Sequence, residues 1–210
     1  DAGSGVLHRL AGTEAGVAGV DAVLLTHLHL DHVADLLPLY KARWLAEAEG
    51  LTVVGPSGTR ALLDDLFDAF EYLDGRLPIA VREIEAGSTT VAGFEVTATP
   101  TRHSLPGFAY RFDDALTVSG DTQEFEGLID FAEQGSVLIH DCSFPDDVSA
   151  SAHTTPSKLA RVLEGAALDR VYLTHLYPQT DGTHATMVDT IERAFDGEVQ
   201  VAADGMTVGV

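Results

Sequence analysis

Lysine, cysteine and long apolar runs are what this chain has least of. Lys41 and Lys158 are its only lysines, and 12 basic residues stand against 33 acidic ones, a formal net charge of −21. A surface this acidic repels polyanions at long range. Nucleic-acid binding ordinarily rests on Lys and Arg neutralising phosphates, so a nucleic-acid partner is disfavoured. Many acids, few lysines and abundant Ala, Val and Gly are similar to the composition of halophilic, salt-adapted proteins. Concentrated salt screens such repulsion to about a few ångströms, so in a host of that kind the charge disfavours RNA less. The single cysteine, Cys142, excludes an internal disulfide. No run approaches the roughly 18 apolar residues of a membrane span. No basic segment followed by an apolar one opens the chain, so no signal peptide is read and the cytoplasm is the expected location. The 45% hydrophobic fraction and 210 residues suit one domain, 1–210, with a full core.

Against these absences stands one dense stretch, Thr26-His27-Leu28-His29-Leu30-Asp31-His32. It follows Val23-Leu24-Leu25, an apolar run of the length of a buried strand. Four potential metal ligands fall within six residues. If the stretch stays extended, His27, His29 and Asp31 point to one side, and His32 turns to the other as a helix begins. Imidazole with carboxylate suits zinc, iron or manganese. The competing reading is a His-rich surface turn.

Further along, strand and helix signals alternate. Val33–Glu49 reads as a helix whose stripe of Leu36, Leu37, Leu39, Tyr40, Trp44 and Leu45 serves either the core or a homodimer contact. Leu51–Val54 is a strand, and a helix runs from about Thr59 to Tyr72. The Gly55–Thr59 loop lacks the lysine of a phosphate-binding loop and reads as a turn. Short strands are expected at Ala80–Ile84, Thr89–Val91 and Phe94–Thr99, then a hairpin of Phe108–Phe112 and Ala115–Ser119 across Asp113-Asp114. Helices are expected at 124–134, Thr155–Ala167 and Thr183–Phe195. Strands are expected at Val137–Ile139, Val171–Leu173, Glu198–Val201 and Met206–Val210. Three strand ends in this half carry further ligand types: Thr101-Arg102-His103, Ser119-Gly120-Asp121 and Thr174-His175. Taken alone, His103 or His175 reads as a hydrogen-bonded structural residue and Asp121 as a turn residue. Alternation by itself gives only an α/β protein.

His-x-His-x-Asp-His after a strand, with His103, Asp121 and His175 following in order, resembles the metallo-β-lactamase superfamily of hydrolases. The resemblance implies a four-layer αββα sandwich with a metal site at one edge. It implies two divalent metal ions, zinc first, with manganese or iron as alternatives. His27, His29 and His103 would hold one, Asp31, His32 and His175 the other, and Asp121 would bridge them. Two such metals, about 3.5–4 Å apart, activate water and clamp both oxygens of an in-line displacement. Asp1-Ala2-Gly3 resembles the Asp-x-Gly loop that follows the first strands of that fold, which places those strands before residue 1; a processed start is the alternative. Asp1 could brace a ligand from behind. Diiron oxygen-reducing members carry Glu where this chain has His29, so hydrolysis is favoured over redox chemistry. Many β-lactamases carry Cys where this chain has Asp121, which points to phosphodiesterases and thioesterases.

Two loops narrow the resemblance. His140-Asp141-Cys142-Ser143 resembles the His-Glu-Ala-Thr loop of ribonuclease Z, and Ala152-His153-Thr154-Thr155 its His-Ser-Thr loop. That implies Asp141 orienting His153, which protonates the leaving oxygen; here the acid is one methylene shorter. The catalytic candidates are therefore Asp31, His153 and Asp141, with Asp31 also a ligand. Ribonuclease Z grips tRNA with a long arm inserted before the bridging Asp. Here only 18 positions separate His103 from Asp121, and a hairpin takes most of them. Arg102 and Arg111 would contact a phosphate or form surface salt bridges. The expected function is hydrolysis of small or cyclic phosphodiesters. The alternatives are tRNA 3′ processing, thioester or lactone hydrolysis, and a non-catalytic metal-stabilised domain.

Overall fold

Val23, Val53 and Val81 become neighbours in one sheet because each sits in a short run rich in β-branched residues, bounded by polar or glycine-containing turns. The computed structural model describes residues 1–132 and 136–210, which divide into two compact units, Asp1–Glu85 and Ala86–Val210.

The first unit is built on a three-stranded parallel sheet in the order β1-β2-β3, with β1 Ala22–Leu24, β2 Leu51–Gly55 and β3 Ile79–Glu83. Helices α1 Val6–Leu10, α2 Leu30–Val33, α3 Leu36–Leu45 and α4 Thr59–Ala69 complete it. The core gathers Leu25, Leu36, Tyr40, Val53 and Leu63. The stripe on α3 therefore serves the core: Leu36, Leu37, Leu39 and Tyr40 are buried, whereas Leu45 is exposed. The long helix expected over Val33–Glu49 is instead α2 followed by α3, because Asp35 between them is not helical. Arg43 on α3 is fully buried and donates to the carbonyls of Gly50, Val17 and Ala18, tying the loop before β1 to the one before β2.

The second unit has a seven-stranded sheet in the order β10-β9-β8-β7-β6-β5-β4. Its strands are β4 Gly87–Val91, β5 Phe94–Pro100, β6 Phe108–Phe112, β7 Leu116–Val118, β8 Val137–Asp141, β9 Arg170–Thr174 and β10 Glu198–Val201. Pairings from β4 to β7 are antiparallel and those from β7 to β10 parallel. The β6–β7 hairpin turns across Asp113 and Asp114, both left-handed (φ 47° and 52°), a turn whose twist matches its strands. Helices α5 Glu126–Ala132, α6 Pro156–Leu163 and α7 His184–Glu192 accompany the sheet, and Leu138, Leu159, Leu163, Leu173 and Ile191 lie in its core. Positions 133 and 134 of the helix expected over 124–134 lie outside the described residues. α6 stops four residues earlier than expected, where Gly165 takes φ 78°. Met206–Val210 is not a strand: among the described residues the segment pairs with no neighbour in the sheet.

A candidate metal centre and its proton donor

In the first unit the motif does not stay extended. β1 ends at Leu24, His29 is still extended (φ −65°, ψ 148°), and Leu30 opens α2. Asp31 thus sits in a helical turn with an exposed carboxylate, and His32, the residue expected to turn away, is the one buried beside His27. Their ring centroids are 4.1 Å apart. The turn is held from behind by Asp1. Its carboxylate accepts from the Thr26 backbone N–H at 2.6 Å, the Thr26 hydroxyl at 2.8 Å and His32 Nδ1 at 2.7 Å. Because the Thr26 proton is on Asp1, its oxygen accepts from His27 Nδ1 at 3.0 Å. Both rings are therefore set with Nδ1 protonated, which leaves a lone pair on Nε2. His27 Nε2 then faces His29 Nδ1 at 2.9 Å. Gly3 approaches the same turn so closely that a Cβ there would stand 1.9 Å from the Asp31 carbonyl oxygen.

In the second unit the parallel ends of β7, β8 and β9 deliver three loops to one place. Gly120 takes φ 60°, which a β-carbon would resist, and Asp121 follows it. Asp121 is 4% exposed, and its Oδ2 stands 3.8 Å from His103 Nε2 and 3.4 Å from His175 Nε2. Those separations exceed good hydrogen bonds. Two ligands about 2.0–2.1 Å from a tetrahedral cation stand about 3.4 Å apart, so the distances suit donors around shared cations. Tautomers agree: His103 Nδ1 donates to the Ala152 carbonyl at 2.9 Å, and His175 Nδ1 lies 2.9 Å from Ser143 Oγ. Each ring presents the Nε2 lone pair toward the Asp121 carboxylate, an arrangement that a divalent cation stabilises and bare lone pairs do not. The donor set, imidazole nitrogen with carboxylate oxygen, fits zinc, manganese or iron.

The same loops carry the proposed acid–base pair. His153 Nδ1 is 2.8 Å from Asp141 Oδ2, so the shorter acid does reach the ring. Asp141 is fully buried, and Oδ2 also accepts from the Thr122 N–H at 3.1 Å. Its Oδ1 accepts from the Ser143 N–H at 3.0 Å and hydroxyl at 2.6 Å. One donor atom from each of Asp121, Asp141, His153 and His175 falls within 4.8 Å of the others. Phe144 and Tyr177 stack on each other at 4.8 Å, and each ring meets His153 obliquely.

Other candidates fall outside this set. His140 points into the structure, with Nδ1 on the Asp141 carbonyl, and burial lowers its pKa. Cys142 is buried, which raises its thiol pKa above the usual range, chiefly by desolvation. Arg111 pairs with Asp114 at 2.9 Å and donates to the Phe131 carbonyl, so of its two readings the salt bridge holds. Arg102 lies over the Phe125 ring at 4.5 Å. Neither Ser143 nor Thr26 is a candidate from sequence alone; a hydroxyl one or two positions from a candidate ligand or acid is the available signal.

Residues 1–176 match the family described as Beta-lactamase superfamily domain. Ribonuclease Z of Mycobacterium marinum is 30% identical over 209 residues, 85% of this chain and 75% of its own length. Among solved structures, the metallo-β-lactamase fold protein YhfI from Bacillus subtilis superposes with a TM-score of 0.82 at 27% identity, covering 98% of this chain and 84% of that one. The short form of human tRNase Z gives 0.76 at 20% identity over 100% and 86% of the two chains, a likeness of fold alone. The mixed α/β fold, the candidate ligands at its strand ends and these relatives place the chain in the metallo-β-lactamase superfamily, as a metal-dependent hydrolase of the ribonuclease Z-like branch.

Proposed function

We propose that this hydrolase cleaves phosphodiesters, small or cyclic ones first, with two divalent metals held by His27, His29 and His103, by Asp31, His32 and His175, and by Asp121 between them. The metals supply Lewis-acid activation of water and of the phosphoryl oxygens. The chain's own residues do the rest. Asp1 and Thr26 fix the tautomers of His32 and His27, and Ala152 fixes that of His103. Asp141 orients His153 through Nδ1, leaving Nε2 to hold the proton that goes to the departing oxygen. The observation that carries the reading is the 2.8 Å contact between His153 and the buried Asp141. A thiolate leaves without a proton, whereas an alkoxide needs one, so a built proton donor favours phosphodiesters over thioesters.

A second reading, tRNA 3′ processing, is favoured by the ribonuclease Z relatives. Against it stand the net charge of −21 and the three-residue turn of the β6–β7 hairpin, where a tRNA-gripping arm has no room. The test is a panel of ribose and nucleoside cyclic phosphates, bis(p-nitrophenyl) phosphate, pre-tRNA, a thioester and a lactone, assayed with zinc and with manganese. Turnover confined to the diesters supports the proposal. Trimming of pre-tRNA without cleavage of small diesters transfers it to the second reading. Activity on the thioester or lactone alone overturns both, and bound metal with no turnover across the panel leaves a binding domain.

A further inference from the structure

A hydroxyl has one proton to give and lone pairs to receive with. Ser143 is fully buried, so its hydroxyl finds its partners within the protein. Its oxygen is 2.6 Å from Asp141 Oδ1 and 2.9 Å from His175 Nδ1. A carboxylate cannot donate, so the Ser143 proton lies on Asp141. The serine oxygen must then accept from His175 Nδ1–H. The same carboxylate takes His153 Nδ1–H on its other oxygen at 2.8 Å, which leaves the 3.3 Å approach of His153 to Ser143 secondary. One buried acid thus aims two imidazoles, His153 directly and His175 through one hydroxyl.

The backbone holds Ser143 in that place. β8 and β9 run parallel with Asp141 opposite Thr174. Beyond the paired ends, the Cys142 N–H donates to the Thr174 carbonyl at 3.0 Å and the Tyr177 N–H to the Ser143 carbonyl at 3.1 Å. Between those two bonds His175 adopts φ 58°, a left-handed conformation that a non-glycine residue keeps only where its surroundings hold it.

We propose that Ser143 is a positioning residue that couples the proton donor to a metal ligand: its hydroxyl transmits the orientation set by Asp141 to His175. The proposal rests on the reading of His175 as a ligand and His153 as the acid. Removing the hydroxyl takes away the Ser143 acceptor of His175 Nδ1–H and loosens the aim of the ring. Losing a bond that aims a metal ligand typically weakens metal affinity or activity by about 10- to 100-fold.

The test compares zinc-loaded wild type with Ser143→Ala, Ser143→Thr and His153→Ala. It measures zinc release to a chelator and turnover of diesters with good and poor leaving groups. Ser143→Ala should release zinc about 10- to 100-fold faster and lose turnover. Ser143→Thr, which restores the hydroxyl, should recover both. His153→Ala should lose turnover with poor leaving groups and keep wild-type zinc release. A folded Ser143→Ala with wild-type zinc release overturns the proposal, as does a loss that Ser143→Thr leaves uncorrected. Should Ser143→Ala not fold, Ser143→Cys keeps the side-chain shape, slightly enlarged, with a weaker hydrogen bond; faster zinc release from it supports the proposal and unchanged release overturns it. Wild type that holds zinc but cleaves no diester sinks the function proposed above, and the release rates still decide Ser143. Wild type that takes up no zinc overturns both.

Discussion

At the scale of single residues, the site is governed by which nitrogen carries which proton. Asp141 receives four hydrogen bonds, from the Thr122 and Ser143 N–H groups, the Ser143 hydroxyl and His153 Nδ1. A carboxylate so held cannot swing, and the imidazole it holds cannot either. His153→Ala should therefore lower turnover by about 10²- to 10⁴-fold for substrates that leave as alkoxides. Bis(p-nitrophenyl) phosphate should lose little, because p-nitrophenolate departs without a proton. The measurement is kcat across a series of leaving groups. Equal losses at both ends of the series would remove His153 from the role of acid. His140, one residue from Asp141, takes no part in this: its ring is buried and held by the Asp141 carbonyl.

At the scale of elements, function depends on turns pressed against one another. The loop at Gly3 touches α2 directly: the Ala2 N–H donates to the His32 carbonyl at 2.9 Å, and the Asp35 N–H to the Ala2 carbonyl at 2.8 Å. Gly3→Ala places a Cβ 1.9 Å from the Asp31 carbonyl oxygen, so the turn carrying Asp31 and His32 must move. The expected cost is about 1–3 kcal/mol of stability, with faster zinc release to a chelator. Gly5→Ala is the control. Its φ of 89° makes alanine strained, but nothing lies within 4 Å of the added carbon, so stability should fall while zinc release stays at the wild-type rate. Wild-type release from Gly3→Ala would show that the turn tolerates the displacement. Much at this scale was legible beforehand. The Asp113-Asp114 turn, β10 and the buried run of β8 follow from local chemistry alone, whereas His103, Asp121 and His175 stand out as candidate ligands only through the family resemblance. What misled was a local rule applied across a boundary. Alternation put Asp31 beside His27 and His29, but helix begins at Leu30, and a helical turn brings His32 to His27 instead. The roles of Ser143 and Thr26 were not legible, because a relay through a hydroxyl depends on partners 32 positions apart for Ser143 and 25 for Thr26.

At the scale of the whole molecule, charge decides which substrates can approach. Of the 12 basic residues, several are engaged close to home. Arg43 is buried among carbonyls, Arg111 pairs with Asp114, Arg60 donates to the Val81 carbonyl, and Arg76 donates to the Tyr72 carbonyl and lies over Trp44. Such cations are poorly placed to line a path for a phosphate backbone. A protein that grips RNA through Lys and Arg loses affinity as salt rises, because the counterions it released compete to return. Here the sign should reverse. Raising ionic strength shortens the Debye length from about 10 Å at 0.1 M to about 3 Å at 1 M, and with it the reach of the −21 net charge. For a polyanion such as pre-tRNA, kcat/KM should therefore rise with salt. For a cyclic phosphodiester with a single negative charge the rise should be much smaller, because the energy of approach scales with the substrate's charge. The check is kcat/KM for both substrates across a potassium chloride series at constant metal concentration. A fall with salt for pre-tRNA would reveal a local basic track strong enough to outweigh the net charge, and tRNA processing would then displace small diesters as the better account of this enzyme.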